Sequence, residues 1–161
     1  MIDDIDVQIM TILQENARTS NAEVARRVGM APSAIFERIR KLEARGIIRG
    51  YEARLSPQAL GLGLLAFVFV RAEERVGSLD TGAVLAKIPE VQEVHHIAGE
   101  DCYLVKVRAA NTEDLGRLLR EQFGAIEAVR STRTTIVLST IRESAQLPIV
   151  PVTAEVADAQ S

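Results

Sequence analysis

Between Ser20 and Pro32 the chain carries a helix start, a helix stop and a second helix start, and that order restricts what the neighbouring residues can build. Ser20-Asn21-Ala22-Glu23 has the S-x-x-E spacing of a capping box, in which hydroxyl and carboxylate each take a backbone amide that the first helical turn leaves without a partner. Ala22, Val24, Ala25 and Val28 supply the apolar side of this helix. Gly29 tolerates positive φ and stops it, so the chain turns sharply through Gly29-Met30-Ala31. Pro32, with φ preset and no amide to satisfy, suits the first position of a further helix, expected to run to about Arg45.

In that helix Ile35, Ile39 and Leu42 recur at i, i+4 and i+7 and should face inward, leaving Ser33, Glu37, Arg40 and Lys41 on the opposite side. Upstream, Ile2, Ile5, Ile9, Ile12 and Leu13 recur at three- and four-residue steps behind Asp3 or Asp4, either of which can cap the free amides. This predicts a first helix of about three turns ending near Asn16. Downstream, Gly46 ends the third helix, and Ile47 to Tyr51 followed by Ala53 to Leu55 reads as a short two-stranded ribbon and linker, closed by Ser56-Pro57.

The chain has a formal net charge of −3, which would repel a polyanion unless its cations were segregated. From Val24 to Arg49 they are: Arg26, Arg27, Arg38, Arg40, Lys41, Arg45 and Arg49 stand against Glu37 and Glu43, a local excess of +5. Two helices around a tight glycine turn, the second bearing outward cations, form a helix-turn-helix suited to the major groove of double-stranded DNA. Arg26, Arg27, Arg38, Lys41 and Arg45 suit phosphates, whereas Ser33, Ala34, Glu37 and Arg40 near the start and exposed face can touch base edges. The competing reading is a solvated face on a three-helix packing module, with Glu37 and Glu43 pairing Arg40, Lys41 or Arg45.

Beyond residue 61 strand and helix patterns alternate: a strand Leu64 to Ala72, a helix about Thr81 to Ile88, strands Val91 to Ala98 and Cys102 to Ala109, a helix Thr112 to Phe123 and a strand Ala128 to Thr140. The order is βαββαβ, and the fold class is α+β. Phe69-Val70-Arg71-Ala72 and Lys106-Val107-Arg108-Ala109 each precede a linker and a helix, a faint βαβ duplication. A sheet of this kind needs its exposed face covered, and Leu64, Leu65, Phe67 and Phe69 are too apolar to leave in water, which calls for self-association. Gly99-Glu100-Asp101 is a tight acidic turn in which a carboxylate can meet an ammonium group such as that of an amino acid. From Ser144 onward Pro148, Pro151 and a polar ending predict a poorly ordered tail.

Ile2-Asp3-x-Ile5-Asp6, Ile9-Met10, Leu13-Gln14, Glu23-Val24-Ala25-x-Arg27-Val28-Gly29 and Glu37-Arg38-Ile39-x-x-Leu42-Glu43-x-x-Gly46-Ile47-Ile48-x-Gly50-Tyr51 resemble the Lrp/AsnC feast/famine transcription regulators. The resemblance runs over about residues 1 to 145. It implies a winged helix-turn-helix domain at 1–50, a linker at 51–61, a ferredoxin-like RAM (ACT-like) domain at 62–143 and a tail at 144–161. It further implies an amino-acid effector held between neighbouring dimers by Gly99, Glu100, Asp101, Tyr103, Thr132 and Thr134, with Arg133 as a carboxylate partner. Dimers built through this domain, assembled into tetramers or octamers, would place paired heads on a pseudo-palindromic operator. Two departures stand out: Ala31 replaces a capping serine before the third helix, and Gly99-Glu100-Asp101-Cys102-Tyr103 reorders a Gly-Asp-x-Asp-Tyr motif.

No cofactor or metal is expected: His95 and His96 alternate across one strand, no second donor is near, and no catalytic triad, P-loop or zinc spacing occurs. The single cysteine, Cys102, forms no intrachain disulfide and suits a small buried apolar role. With an acidic start in place of a leader and an apolar run at Leu62 to Val70 too short to span a bilayer, a cytoplasmic protein with no membrane role is expected. The rival readings are a siroheme-decarboxylase-like enzyme on the same fold, which would use His95 and His96, and a DNA-free amino-acid-sensing scaffold.

Overall fold

Asp3 starts the first helix: its carboxylate accepts the Asp6 amide at 2.9 Å, while the Asp6 carboxylate accepts the Asp3 amide at 3.4 Å. This reciprocal cap opens α1 (Asp4–Glu15). The second helix, α2 (Asn21–Val28), begins at Ser20, whose hydroxyl accepts the Glu23 amide at 3.2 Å. Gly29 ends it in the left-handed region at φ 76°, where a side chain would be strained, and α3 (Pro32–Ala44) follows without a side-chain cap at Ala31. Ile9, Met10, Val24, Ala25, Ile35, Ile39 and Leu42 form the core of this helical unit. At roughly 1.5–3 kcal/mol for each large side chain withdrawn from water, that cluster outweighs the missing cap, worth about 1 kcal/mol.

The computed structural model describes residues 2–75 and 78–149 and divides into two units: residues up to Arg54 together with the segment from Glu143, and Leu55–Arg142. The expected ribbon over 47–55 does not form. The Ile47 and Ile48 amides instead donate to the Leu42 carbonyl, at 2.9 and 3.2 Å, and both side chains pack on the helical core. Amides spent on closing a helix are not available for a ladder.

Over its described part, the segment expected to form a loose tail makes contacts with the helical unit. Leu147 N donates to Gln14 Oε1 at 2.8 Å, Gln14 Nε2 returns a bond to the Leu147 carbonyl at 3.1 Å, and Gln146 Nε2 reaches the Gln14 carbonyl at 3.1 Å. Arg54 Nη2 holds the Glu143 carbonyl at 2.8 Å, and Ile149 packs against the helical core. The remainder of that tail, 150–161, lies outside the described residues.

The second unit follows the βαββαβ order with β1 (Leu64–Ala72), α4 (Asp80–Leu85), β2 (Val91–His96), β3 (Tyr103–Ala109), α5 (Thr112–Leu118) and β4 (Val129–Ile136). The sheet order is β2-β3-β1-β4, every pair antiparallel. The two stretches that hinted at duplication therefore lie on the central pair, with Phe67 opposite Lys106 and Phe69 opposite Leu104. Ala66, Val68 and Val70 of β1 join Val105 and Val107 of β3 under the helices with Leu85, Leu115, Leu118 and Phe123. The α5 helix runs on into a π-helical turn at Leu119–Phe123 that seats Phe123 in this core.

Candidate functional site

On α3, alternation of environment follows the helical period. Ile35, Ile39 and Leu42 are buried, while Ser33, Glu37, Arg40 and Lys41 are exposed and Ala34 is half-buried. Arg45, just past the helix, is also exposed. Among the described residues Lys41 has no ion-pair partner, and Arg40 has only a loose one, Glu37 at 3.7 Å with both side chains largely exposed. Such a pair adds little stability, so the guanidinium is available to a duplex.

Three of the expected phosphate ligands are engaged otherwise. Arg38 Nη1 donates to Asp3 Oδ2 and to Asp6 Oδ1, both at 2.8 Å, tying α3 to the start of α1. The Asp3 carboxyl is held below its ordinary range by the Asp6 amide first and Arg38 next. Arg26 and Arg27 both clasp Glu23, with contacts of 2.6 to 2.9 Å. Their hydrogen bonds, Arg26 first, push its pKa down to about 2. Glu23 thus completes only half of its capping box, and it lies just outside the stretch whose charges gave an excess of +5.

Sequence patterning passed over one residue on this surface. Phe36 is 53 % exposed, beside Glu37 and one turn from Arg40. A signal existed, because an aromatic residue off the Ile35-Ile39-Leu42 stripe has no place in the core. It borders a groove of about 450 Å³ between the end of α1, the start of α2 and α3, with Thr19, Asn21, Arg40, Glu43 and Tyr51 among its walls. Tyr51 donates to Glu43 Oε1 at 2.9 Å, and partial burial followed by that carboxylate raises its pKa to about 12.

In the sheet unit the expected effector residues divide between the two faces. Asp101 and Arg133 meet on the face away from the helices, where Arg133 Nη2 donates to Asp101 Oδ2 at 2.8 Å and its guanidinium lies 4.0 Å above the Phe69 ring. Gly99, at φ 133°, shapes the exposed turn that carries Glu100 and Asp101. Thr132 and Thr134, paired with Val70 and Val68, belong to the helix-side register of β4. Tyr103 is buried on that side too, its hydroxyl donating to Glu74 Oε1 at 3.0 Å and its ring against Gly82. Burial, then Glu74, raises the Tyr103 pKa. A cleft of about 230 Å³ elsewhere in this unit, with Glu90, Arg117 and Glu121 in its wall, includes none of Gly99, Glu100 or Asp101.

His95 pairs with Glu93 at 3.2 Å, and Glu93 also accepts from Lys106 at 3.0 Å; His96 packs against Tyr103 with ring centroids 5.4 Å apart. The two histidines thus fall in different surroundings, and no group of three or more metal-binding side chains is found among the described residues. The Cys102 thiol is half-buried and donates to the Ala72 carbonyl at 3.2 Å. No described helix is long and apolar enough to cross a membrane.

A helix-turn-helix with an exposed polar and basic face on its last helix, joined to an antiparallel βαββαβ domain, defines a DNA-binding regulator with an attached sensory domain. The chain belongs to the Lrp/AsnC family: the winged helix-turn-helix DNA-binding description matches residues 2–49 and the Lrp/AsnC ligand binding domain matches residues 65–147. It is 39% identical over 148 residues to the HTH-type transcriptional regulator FL11 of Pyrococcus horikoshii, covering 92% of this chain and 97% of that one. It is 36% identical over 152 residues to the leucine-responsive regulatory protein of Escherichia coli, covering 92% of each. The crystal structure of a Neisseria meningitidis transcriptional regulator in complex with L-Met superposes with a TM-score of 0.86 at 32% identity, over 92% of this chain and 97% of that chain.

Proposed function

We propose that this protein regulates transcription by laying α3 in the major groove of a pseudo-palindromic operator, and that an amino acid bound by the sheet unit modulates that binding. The observation that carries the reading is the division of α3 into a buried Ile35-Ile39-Leu42 stripe and an exposed face of Ser33, Glu37, Arg40 and Lys41 beside a left-handed Gly29 turn. Lys41 and Arg45 serve phosphates; Arg26 and Arg27 join them by exchanging Glu23 for a phosphate oxygen. Ser33, Ala34, Glu37 and Arg40 face base edges.

On the sensory side, Asp101 takes the effector ammonium and Arg133 its carboxylate, with Gly99 and Glu100 shaping the turn. Thr132, Thr134 and Tyr103 support β4 and β3 from the other face. The relative solved with L-Met supports a free amino acid as the class of signal. Phe67 and Phe69, only half-buried on the open sheet face, favour a homodimer, which further contacts extend to a tetramer or octamer. An effector that binds one assembly better than another shifts the spacing of paired heads and so the operator affinity. The protein acts in the cytoplasm as a binding protein, not as an enzyme.

Fluorescence anisotropy with duplex DNA from the protein's own upstream region, titrated with each of the twenty amino acids, tests this. Duplex preference that one amino acid alters is expected. Asp101→Ala should abolish the amino-acid effect at unchanged basal affinity; an unaltered titration would move the pocket elsewhere. No preference for duplex over a neutral polymer in dilute salt would end the reading.

A further inference from the structure

Of the four phenylalanines in the chain, Phe123 is fully buried, Phe67 and Phe69 are half-buried on the sheet, and Phe36 alone is exposed. Its position follows from the helical period: Ile35, one residue earlier, is wholly buried, and a step of about 100° carries the next side chain off the core. That step places it among groups of a different kind, with the Ser33 hydroxyl one turn before it, the Arg40 guanidinium one turn after it and the Glu37 carboxylate beside it. The groove that it borders is polar on the α2 side, where Thr19 and Asn21 stand. The groove also has apolar walls, Leu13, Ala17 and Ile39, yet among the described residues the ring keeps 53 % of its surface exposed.

We propose that Phe36 is a specificity-determining residue that reads a thymine by covering its C5-methyl group in the major groove. The proposal rests on the duplex-binding reading of α3. Each base pair shows the major groove a set of hydrogen-bond donors and acceptors, and only thymine adds an apolar group there. A benzyl side chain has no use for the polar edges, and a phosphate would not repay its desolvation. The ring and the methyl group are therefore the two apolar surfaces that come together when α3 enters the groove, and both lose water. Ser33, Glu37 and Arg40 then read or position on neighbouring pairs, so the thymine lies within the few base pairs that the first two turns of α3 span.

The experiment uses the full-length protein and the duplex that it selects from a random-sequence pool. Each thymine of one half-site is replaced in turn by deoxyuridine, which deletes the C5-methyl and nothing else. For the wild-type protein one position should lose affinity by about fourfold, the worth of one methyl group taken from water. Phe36→Ala should bind the thymine and deoxyuridine duplexes equally, with the salt dependence of binding unchanged because no phosphate contact is lost. As a second measurement independent of that variant's folding, 5-iodouracil at the same position of the wild-type complex should cross-link under ultraviolet light to the peptide containing Phe36.

Undiminished thymine preference in a folded Phe36→Ala protein, equal binding of every deoxyuridine duplex by the wild type, or a cross-link to another peptide would each overturn the proposal. Selection of no duplex at all would overturn the parent reading as well. Selection of a defined operator without any methyl effect overturns this inference alone.

Discussion

Arg38 stands 35 residues from Asp3 and 32 from Asp6, yet one of its nitrogens donates to both carboxylates. Its side chain is only 30 % exposed, and Asp6 beneath it is buried, so Arg38→Ala strands a carboxylate in the α1–α3 seam. A loss of about 1–2 kcal/mol in urea unfolding is expected, together with an unchanged salt slope for DNA binding. Lys41→Ala should do the reverse, leaving stability unaltered while lowering the slope by about 1. Glu23 supplies a prediction in pH. Its folded pKa of about 2 lies below the ordinary 4.5, so its stabilising contribution is complete above pH 4.5 and fades as pH falls toward 2. The melting temperatures of wild type and Glu23→Gln should therefore differ at pH 6 and converge through that window. Residue types and helical faces were legible in the sequence; these partners were not, because Arg38 meets acids 32 and 35 residues away in the chain and Glu23 chooses between an amide and two guanidinium groups only when the helix exists. The same limit separated Tyr103 from Asp101, two residues apart in sequence but on opposite faces of the sheet.

Elements were easiest to anticipate where one physical cause dominates. The β1 strand occupies the expected Leu64–Ala72 because a continuous apolar run of strand formers is useful only when buried in a sheet. At α3, Pro32 and the left-handed Gly29 set the start, although Ala31 leaves the first turn without a side-chain cap. The Ala31 backbone is extended, with φ −69° and ψ 142°, as a capping residue requires. Ala31→Ser should consequently stabilise the protein by about 1 kcal/mol in denaturant unfolding. Other boundaries depended on neighbours that the local pattern does not contain. β4 was expected to reach Thr140 but ends at Ile136, because β1 begins at Leu64 and Leu65 supplies its last carbonyl, to Val137. The helix expected to reach Ile88 stops at Leu85, where the Lys87 and Ile88 amides donate to carbonyls three residues back, Val84 and Leu85. The ribbon after Gly46 failed for the same reason, as Leu42 claimed its amides.

The whole molecule combines an acidic average with one basic stretch, Val24 to Arg49, whose cations the acids of α1 offset within the same unit. Its head is also discontinuous in the chain, because residues 143–149 return to α1 after the sheet unit has been traversed. Gln14→Ala removes the side-chain partner of Leu147 on both its amide and its carbonyl. Amide hydrogen exchange should then accelerate at Leu147, while the β1 and β3 amides keep their protection. The returning segment gives synthesis an order. A ribosome extends the chain from its N-terminus, so α1 to α3 emerge first and wait for their final strip of packing until β4 has been translated. Fragments that stop after β4 would own the whole four-stranded sheet but a helical unit without its last strip of packing, so truncation there should cost the helices more stability than the sheet.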